Sequence, residues 1–198
     1  MNIEGIKVGL SQYVEERKSK KQEKKEARAR KKKHTVAILF STYTDIASRV
    51  VALTSGFGYT HVSISIDDSD YFYAFNTKGF RKEYPKKHLN RTKNCIKYIL
   101  EITHRQYKKL CKAIKDLERR NNKKKLKYNW LGLFSCMVSV PIKMENRYFC
   151  SQFVAKLLEK AEIMKFKRST SRYLPNQLNK EVRKCPLIVG RIENCFAV

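Results

Sequence analysis

Two residues stand apart from the apolar logic of their surroundings, and together they suggest one kind of chemistry. Cys150 sits at the start of the amphipathic stretch YFCSQFVAKLLEKAEI (148–163). A thiol at the start of a helix faces unsatisfied backbone amides and the positive end of the helix dipole, which lower its pKa and favour the thiolate. His61 opens the alternating stretch HVSISID (61–67), on the same side as Ser63 and Ser65, after a turn bearing Gly56 and Gly58. An imidazole in reach of that thiol would take its proton and later deliver it to a leaving group. The free amides of the same helix start would hold an oxyanion. Cysteine, histidine and helix end together suit acyl transfer. Their separation of 89 positions is no obstacle, because such pairs meet in space.

The other candidates are weaker. Cys95, Cys111 and Cys136 fall on core-facing positions, and Cys185 and Cys195 flank the last apolar run. No two cysteines form a C-x-x-C pair, and none stands at zinc-finger spacing from a histidine, so neither a metal nor a cofactor is expected. His34, His88 and His104 lie beside lysines or at element boundaries and read as surface residues.

The elements that must position the pair follow from periodicity. HTVAILFS (34–41) is a continuous β-branched run of strand length, and IASRVVALTSGFG (46–58) reads as a short helix stopped by glycines. HVSISID and the aromatic YFYAFN (71–76) flank an Asp-Asp-Ser-Asp turn and form a hairpin, and CIKYILEI (95–102) is a further strand. Over 104–120, Tyr107, Leu110, Cys111, Ile114 and Leu117 recur at helical spacing, opposite a lysine face. The polar NNKKK then predicts a turn before a second helix over roughly 129–140. Helix 150–162, a short helix in PNQLNKEVRK and a closing strand in PLIVGRI complete the chain. The expected class is α+β, with a small, mostly antiparallel sheet packed with helices.

Charge sets the partners. The 198 residues carry 44 Lys plus Arg against 18 Asp plus Glu, a formal net charge of +26. Residues 15–33 hold eleven Lys or Arg against four Glu and almost nothing apolar. We therefore divide the chain into a basic N-terminal arm, helical or disordered, over 1–33 and a body over 34–198. A second basic surface, over 105–127, holds eleven Lys or Arg against two acids. Such surfaces repel themselves and fit an anionic polymer, a membrane surface or nucleic acid. The first residues show no secretory signal, and the longest uncharged run, Trp130 to Ile142, is too short to span a bilayer. The expectation is a cytoplasmic monomer, peripheral at an anionic membrane surface if that is where the basic surfaces dock.

The stretches YTHVSISIDDSDYFYAFNTKGF (59–80) and YFCSQFVAKLLEKAEI, supported by TVAILFSTYT and KYNWLGLFSC, resemble the circularly permuted branch of the NlpC-type papain-like superfamily, the YiiX-like proteins. There the histidine strand precedes the cysteine helix, as it does here over about 35–192. The resemblance implies a permuted papain-like fold with Cys150 as nucleophile and His61 as general base. It also implies a third residue that orients the imidazole, on the following strand before a small residue. That position is Tyr73, before Ala74, where relatives often carry Glu; Asn76 and Glu83 are the other candidates. The implied activity is a thiol hydrolase or acyltransferase acting on a peptide, isopeptide or lipid acyl bond. The branch is similar both to peptide amidases and, more distantly, to the lecithin–retinol acyltransferase group. The alternative is a catalytically weak or inactive scaffold that binds an anionic partner through its arm.

Overall fold

The computed structural model describes residues 13, 15–23, 33–43, 51–52, 58–67, 69–87, 92–135 and 146–195. Its framework is a six-stranded sheet of β1 (Lys33–Tyr43), β2 (His61–Ile66), β3 (Phe72–Asn76), β4 (Gly79–Glu83), β5 (Thr92–Thr103) and β8 (Ile188–Glu193). The order is β4-β3-β2-β1-β5-β8, and every neighbouring pair is antiparallel. The helices are α1 (His104–Lys123), α2 (Trp130–Ser135), α3 (Cys150–Lys160) and α4 (Pro175–Val182). A parallel pair of two-residue strands, β6 (Lys127–Tyr128) and β7 (Arg147–Tyr148), lies outside the sheet.

The continuous apolar run of β1 is explained by its central place. Val36, Ile38 and Phe40 join Val62 and Ile64 of β2 beneath Leu110 and Ile114 of α1 and Phe153, Val154, Leu157 and Leu158 of α3. On the reverse face Ala37 and Leu39 pack with Phe72 and Cys95. Both faces of β1 are covered, so period-two alternation is lost there, as it is in buried strands generally. Each aliphatic side chain fully buried in this way contributes about 1.5–3 kcal/mol. α1 starts at a reciprocal cap: Gln106 N donates to Thr103 Oγ1 (3.3 Å), and Thr103 N donates to Gln106 Oε1 (3.0 Å).

Several expectations are revised here. α1 runs through the polar segment to Lys123, because Arg120 and Lys123 in its last turn suit the negative end of the dipole. The predicted turn therefore begins only after Lys123. β4 follows a two-residue connection after β3 and was not anticipated, since GFRKE is charged and carries one large apolar residue. Lys33, placed in the arm, is the first residue of β1 and pairs its Nζ with Glu101 Oε1 at 2.7 Å. His34 and His104 are not solvated: their rings bond at 3.0 Å, and His34 stacks on Tyr107 with centroids 3.8 Å apart. Within the arm, residues 15–23 are helical and exposed, with Lys20 bonded to Glu16 at 2.6 Å. Most of the helix expected over 46–58, residues 136–140 of the second helix, His88 and Cys136 lie outside the described residues.

The β3–β4 hairpin depends on Gly79. Its φ is +92°, and a Cβ built there would lie 2.2 Å from the carbonyl oxygen of Leu126. Both the backbone conformation and the close approach require glycine. Gly79→Ala is expected to cost about 2 kcal/mol, lowering the midpoint of a thermal melt followed by circular dichroism by about 4–8 °C. An unchanged midpoint would show that the hairpin does not limit stability.

Candidate active site

The chain enters β2 through a clamped turn. Thr60 N donates to Ser41 O (3.0 Å), Tyr43 N to Thr60 Oγ1 (3.0 Å), Thr42 Oγ1 to Gly58 O (2.8 Å) and Tyr59 N to Asn176 Oδ1 (2.8 Å). Gly58, at φ +148°, is packed so closely on the Asn176 amide that a Cβ would meet its oxygen at 2.5 Å. These bonds fix the first residue of the strand, His61, opposite Ser41 of β1.

Cys150 is positioned from the other side. Tyr148 pairs with Tyr128 in the short parallel sheet, and Asn129 N donates to Tyr148 O at 3.0 Å. Two residues later the chain turns into α3, with Cys150 as its first residue. Phe149, at the cap, offers no side-chain oxygen to the first turn. Gln152 instead reaches back, its Oε1 accepting from Phe149 N at 3.4 Å. The first-turn amides thus have no side-chain acceptor and remain able to meet an anion.

These elements set Cys150 beside His61, near enough to perturb the imidazole. Both are buried, at 2% and 7% exposure. On its far side the imidazole meets Glu83, with Nε2 and Oε2 2.8 Å apart. A carboxylate only accepts, so Nε2 carries the proton and donates it, leaving Nδ1 for the thiol. Glu83 is held in turn by Asn76, whose Nδ2 donates to Oε1 at 2.7 Å. Thiol, imidazole, carboxylate and amide form one relay across α3, β2, β4 and β3.

Tyr73 has no place in that relay. Its neighbour across the strands is Ile64, on the core-facing side of β2. Its ring meets Tyr71 edge-on, with centroids 5.5 Å apart, and stacks on Phe80 at 6.1 Å. The orienting position is filled by Glu83, one strand later, and Asn76 supports Glu83. Strand alternation accounts for the difference: Phe72, Ala74 and Asn76 share one side of β3, and Tyr73 and Phe75 take the other. Tyr71, Phe75 and Phe80 likewise belong to or pack against the main core.

Burial alone would depress the His61 pKa. The Glu83 charge, with hydrogen bonds to Cys150 and Glu83, outweighs it and raises the pKa well above the usual 6.5. An imidazolium is thereby favoured beside the thiol. The remaining described cysteines are in contrasting settings. Burial and its neighbour Cys95, 3.0 Å away between sulfurs, push Cys195 up to about 12. Burial also raises Cys111, and Cys185 is buried.

Sequence reasoning did not single out three polar atoms around this site. Ser41 Oγ, Ser151 Oγ and Asn129 Nδ2 are buried without a hydrogen-bond partner. They belong to the residue opposite His61, the residue after Cys150 and the residue bonded to Tyr148. No periodicity marks them; only the structure shows them buried and without a partner. Among the described residues no group of three His, Cys, Asp or Glu could hold a metal ion, and no helix is long and apolar enough to cross a membrane. No protein-family model matches the chain, and no significant match was found among curated proteins.

The relay gives a pH signature. A histidine whose pKa is raised on folding contributes stability that is complete below its unfolded value and is lost as pH rises through the folded value. Glu83→Gln removes the charge that raises it. The variant is expected to be less stable by about 1–3 kcal/mol between about pH 5 and 6.5, with the deficit shrinking at higher pH. Urea denaturation across that range measures it. A deficit independent of pH would mean that Glu83 acts by packing and not through the imidazolium.

Proposed function

We propose that the protein is a thiol hydrolase or acyltransferase with a permuted papain-like fold, acting on an amide or ester bond. The observation that carries this reading is the buried arrangement in which His61 lies beside Cys150 and bonds Glu83 at 2.8 Å. The order of histidine strand and cysteine helix, and the motifs around them, support the same family.

In this reaction Nδ1 of His61 takes the Cys150 proton, and the thiolate sulfur attacks the carbonyl carbon of the substrate. The oxygen of the tetrahedral intermediate meets the uncapped first-turn amides of α3. The imidazolium gives its proton to the leaving nitrogen or oxygen as that bond breaks, and a thioester remains. Water, or an acceptor hydroxyl or amine, loses a proton to His61 and attacks the thioester. The acyl group is released, and the Cys150 thiol is restored. Glu83 holds the ring through Nε2 and stabilises its charged form, the part a carboxylate plays in hydrolytic triads. Peptide, isopeptide and lipid acyl groups all suit this chemistry.

A second reading rests on the basic arm at 15–33, of which residues 15–23 form an exposed helix. In it, the body is a scaffold with little catalysis, and the arm binds nucleic acid or an anionic membrane. Its mark is binding that weakens steeply with salt and is lost when 15–33 is removed.

Iodoacetamide labelling of each cysteine, followed by mass spectrometry against pH, tests the leading reading. Cys150 is expected to react at least about tenfold faster than Cys195 and to fall by a similar factor in His61→Ala. Tyr73→Phe is expected to leave that rate within about twofold, because the hydroxyl is not at the imidazole. Equal labelling of Cys150 and Cys195 in the native protein would overturn the acyl-enzyme reading.

A further inference from the structure

A shallow cleft lies between α1 and α3, open to solvent and with about 20 Å³ of water-accessible space. Arg120, Lys156, Lys160 and Tyr148 line its polar side, and Phe153 and Leu157 contribute to its apolar wall. Each element supplies its part for a simple reason. Lys156 and Lys160 are one helical turn apart on α3, so they project from the same face. Arg120 comes from the last turn of α1, and Tyr148 from β7.

The groups are already organised. Lys156 Nζ donates to Tyr148 OH at 3.4 Å and lies 5.0 Å from the ring centroid. Arg120 Nη2 donates to Asn146 Oδ1 at 2.6 Å, which anchors one edge of the guanidinium near Tyr148. No carboxylate lines the cleft, and among the described residues none of the three cations forms an ion pair. Burial pushes the Tyr148 phenol up, yet Lys156 and Arg120 overcome this and bring its pKa below the usual 10.0. The positive potential is therefore concentrated at the cleft, and the apolar wall reduces its screening by water.

The geometry points to a phosphate-binding site in this cleft, taking a phosphomonoester group. Its dianion brings two charges and several acceptor oxygens, enough for a guanidinium, two ammonium groups and a phenol O–H at once. A carboxylate has one charge and two oxygens, and would leave donors unmet. Guanidinium and ammonium together are the usual recognition pair for phosphate. The inference goes beyond the thiol chemistry and does not depend on it, because none of the four polar groups belongs to the relay.

Calorimetric titration of the full chain with inorganic phosphate and with glycerol 3-phosphate, at fixed ionic strength, is the test. Saturable binding in the millimolar range or tighter is expected, and Arg120→Gln or Lys156→Gln should weaken it about tenfold. The double variant Lys112→Gln/Lys115→Gln removes two charges from α1 outside the cleft and should change it by less than about twofold. In the wild type, the Tyr148 ring-carbon signal in ¹³C NMR should titrate at higher pH when phosphate is bound. Cys150→Ser should bind phosphate like the wild type, which keeps this result separate from the fate of the acyl-enzyme reading. Vesicles with and without phosphatidic acid distinguish a lipid-borne phosphate from a soluble one. No binding up to about 20 mM phosphate, or equal weakening by the Lys112/Lys115 variant, would overturn the site and leave only a diffuse basic field.

Discussion

The contact between His61 and Glu83 is the constraint on which the rest of the site depends. A buried imidazole on its own is driven neutral. A carboxylate 2.8 Å from Nε2 reverses that preference. It fixes the tautomer, turns Nδ1 toward Cys150 and makes the charged ring tolerable in a dry place. Every other element can be understood by what it does for this contact. The clamped turn before β2 holds the ring's backbone, Asn76 holds the carboxylate, and the short parallel pair sets where the cysteine helix begins.

That arrangement explains why the site was only partly legible in the sequence. Cys150 and His61 announce themselves because each violates its local pattern: a thiol at a helix start, and a titratable group opening an apolar strand. Glu83 carries no such mark. It lies in GFRKE, where a carboxylate among charged residues looks like an ordinary exposed position. It acquires a role only when the hairpin folds back and brings β4 to the edge of the sheet. Tyr73 was the more visible candidate because it lies on the strand after the histidine and precedes a small residue. Strand alternation sends it to the core. Chemistry of this kind is written in two residues and completed by topology.

The fold was legible to a different degree. The long, periodic segments read correctly as β1, β2, β3, β5, α1 and α3, because burial on one face or two leaves a strong pattern. β4, β6 and β7 were missed, being short, charged or both; tertiary contact makes them strands, not propensity. The extension of α1 to Lys123 has the same origin. A run of lysines looks like a turn until its charge is set against the carboxyl end of a helix dipole.

The strand order carries a consequence for how the site behaves in time. His61 lies on an interior strand, covered on both sides, whereas Glu83 and Asn76 belong to a hairpin whose outer strand ends the sheet. Edge hairpins are the parts of a sheet that open first, with a local free energy below that of global unfolding. Each such excursion withdraws the counter-charge while the histidine stays buried. Fraying of β4 would thus lower the basicity of His61, which ties the charge of the ring to the local stability of one edge strand.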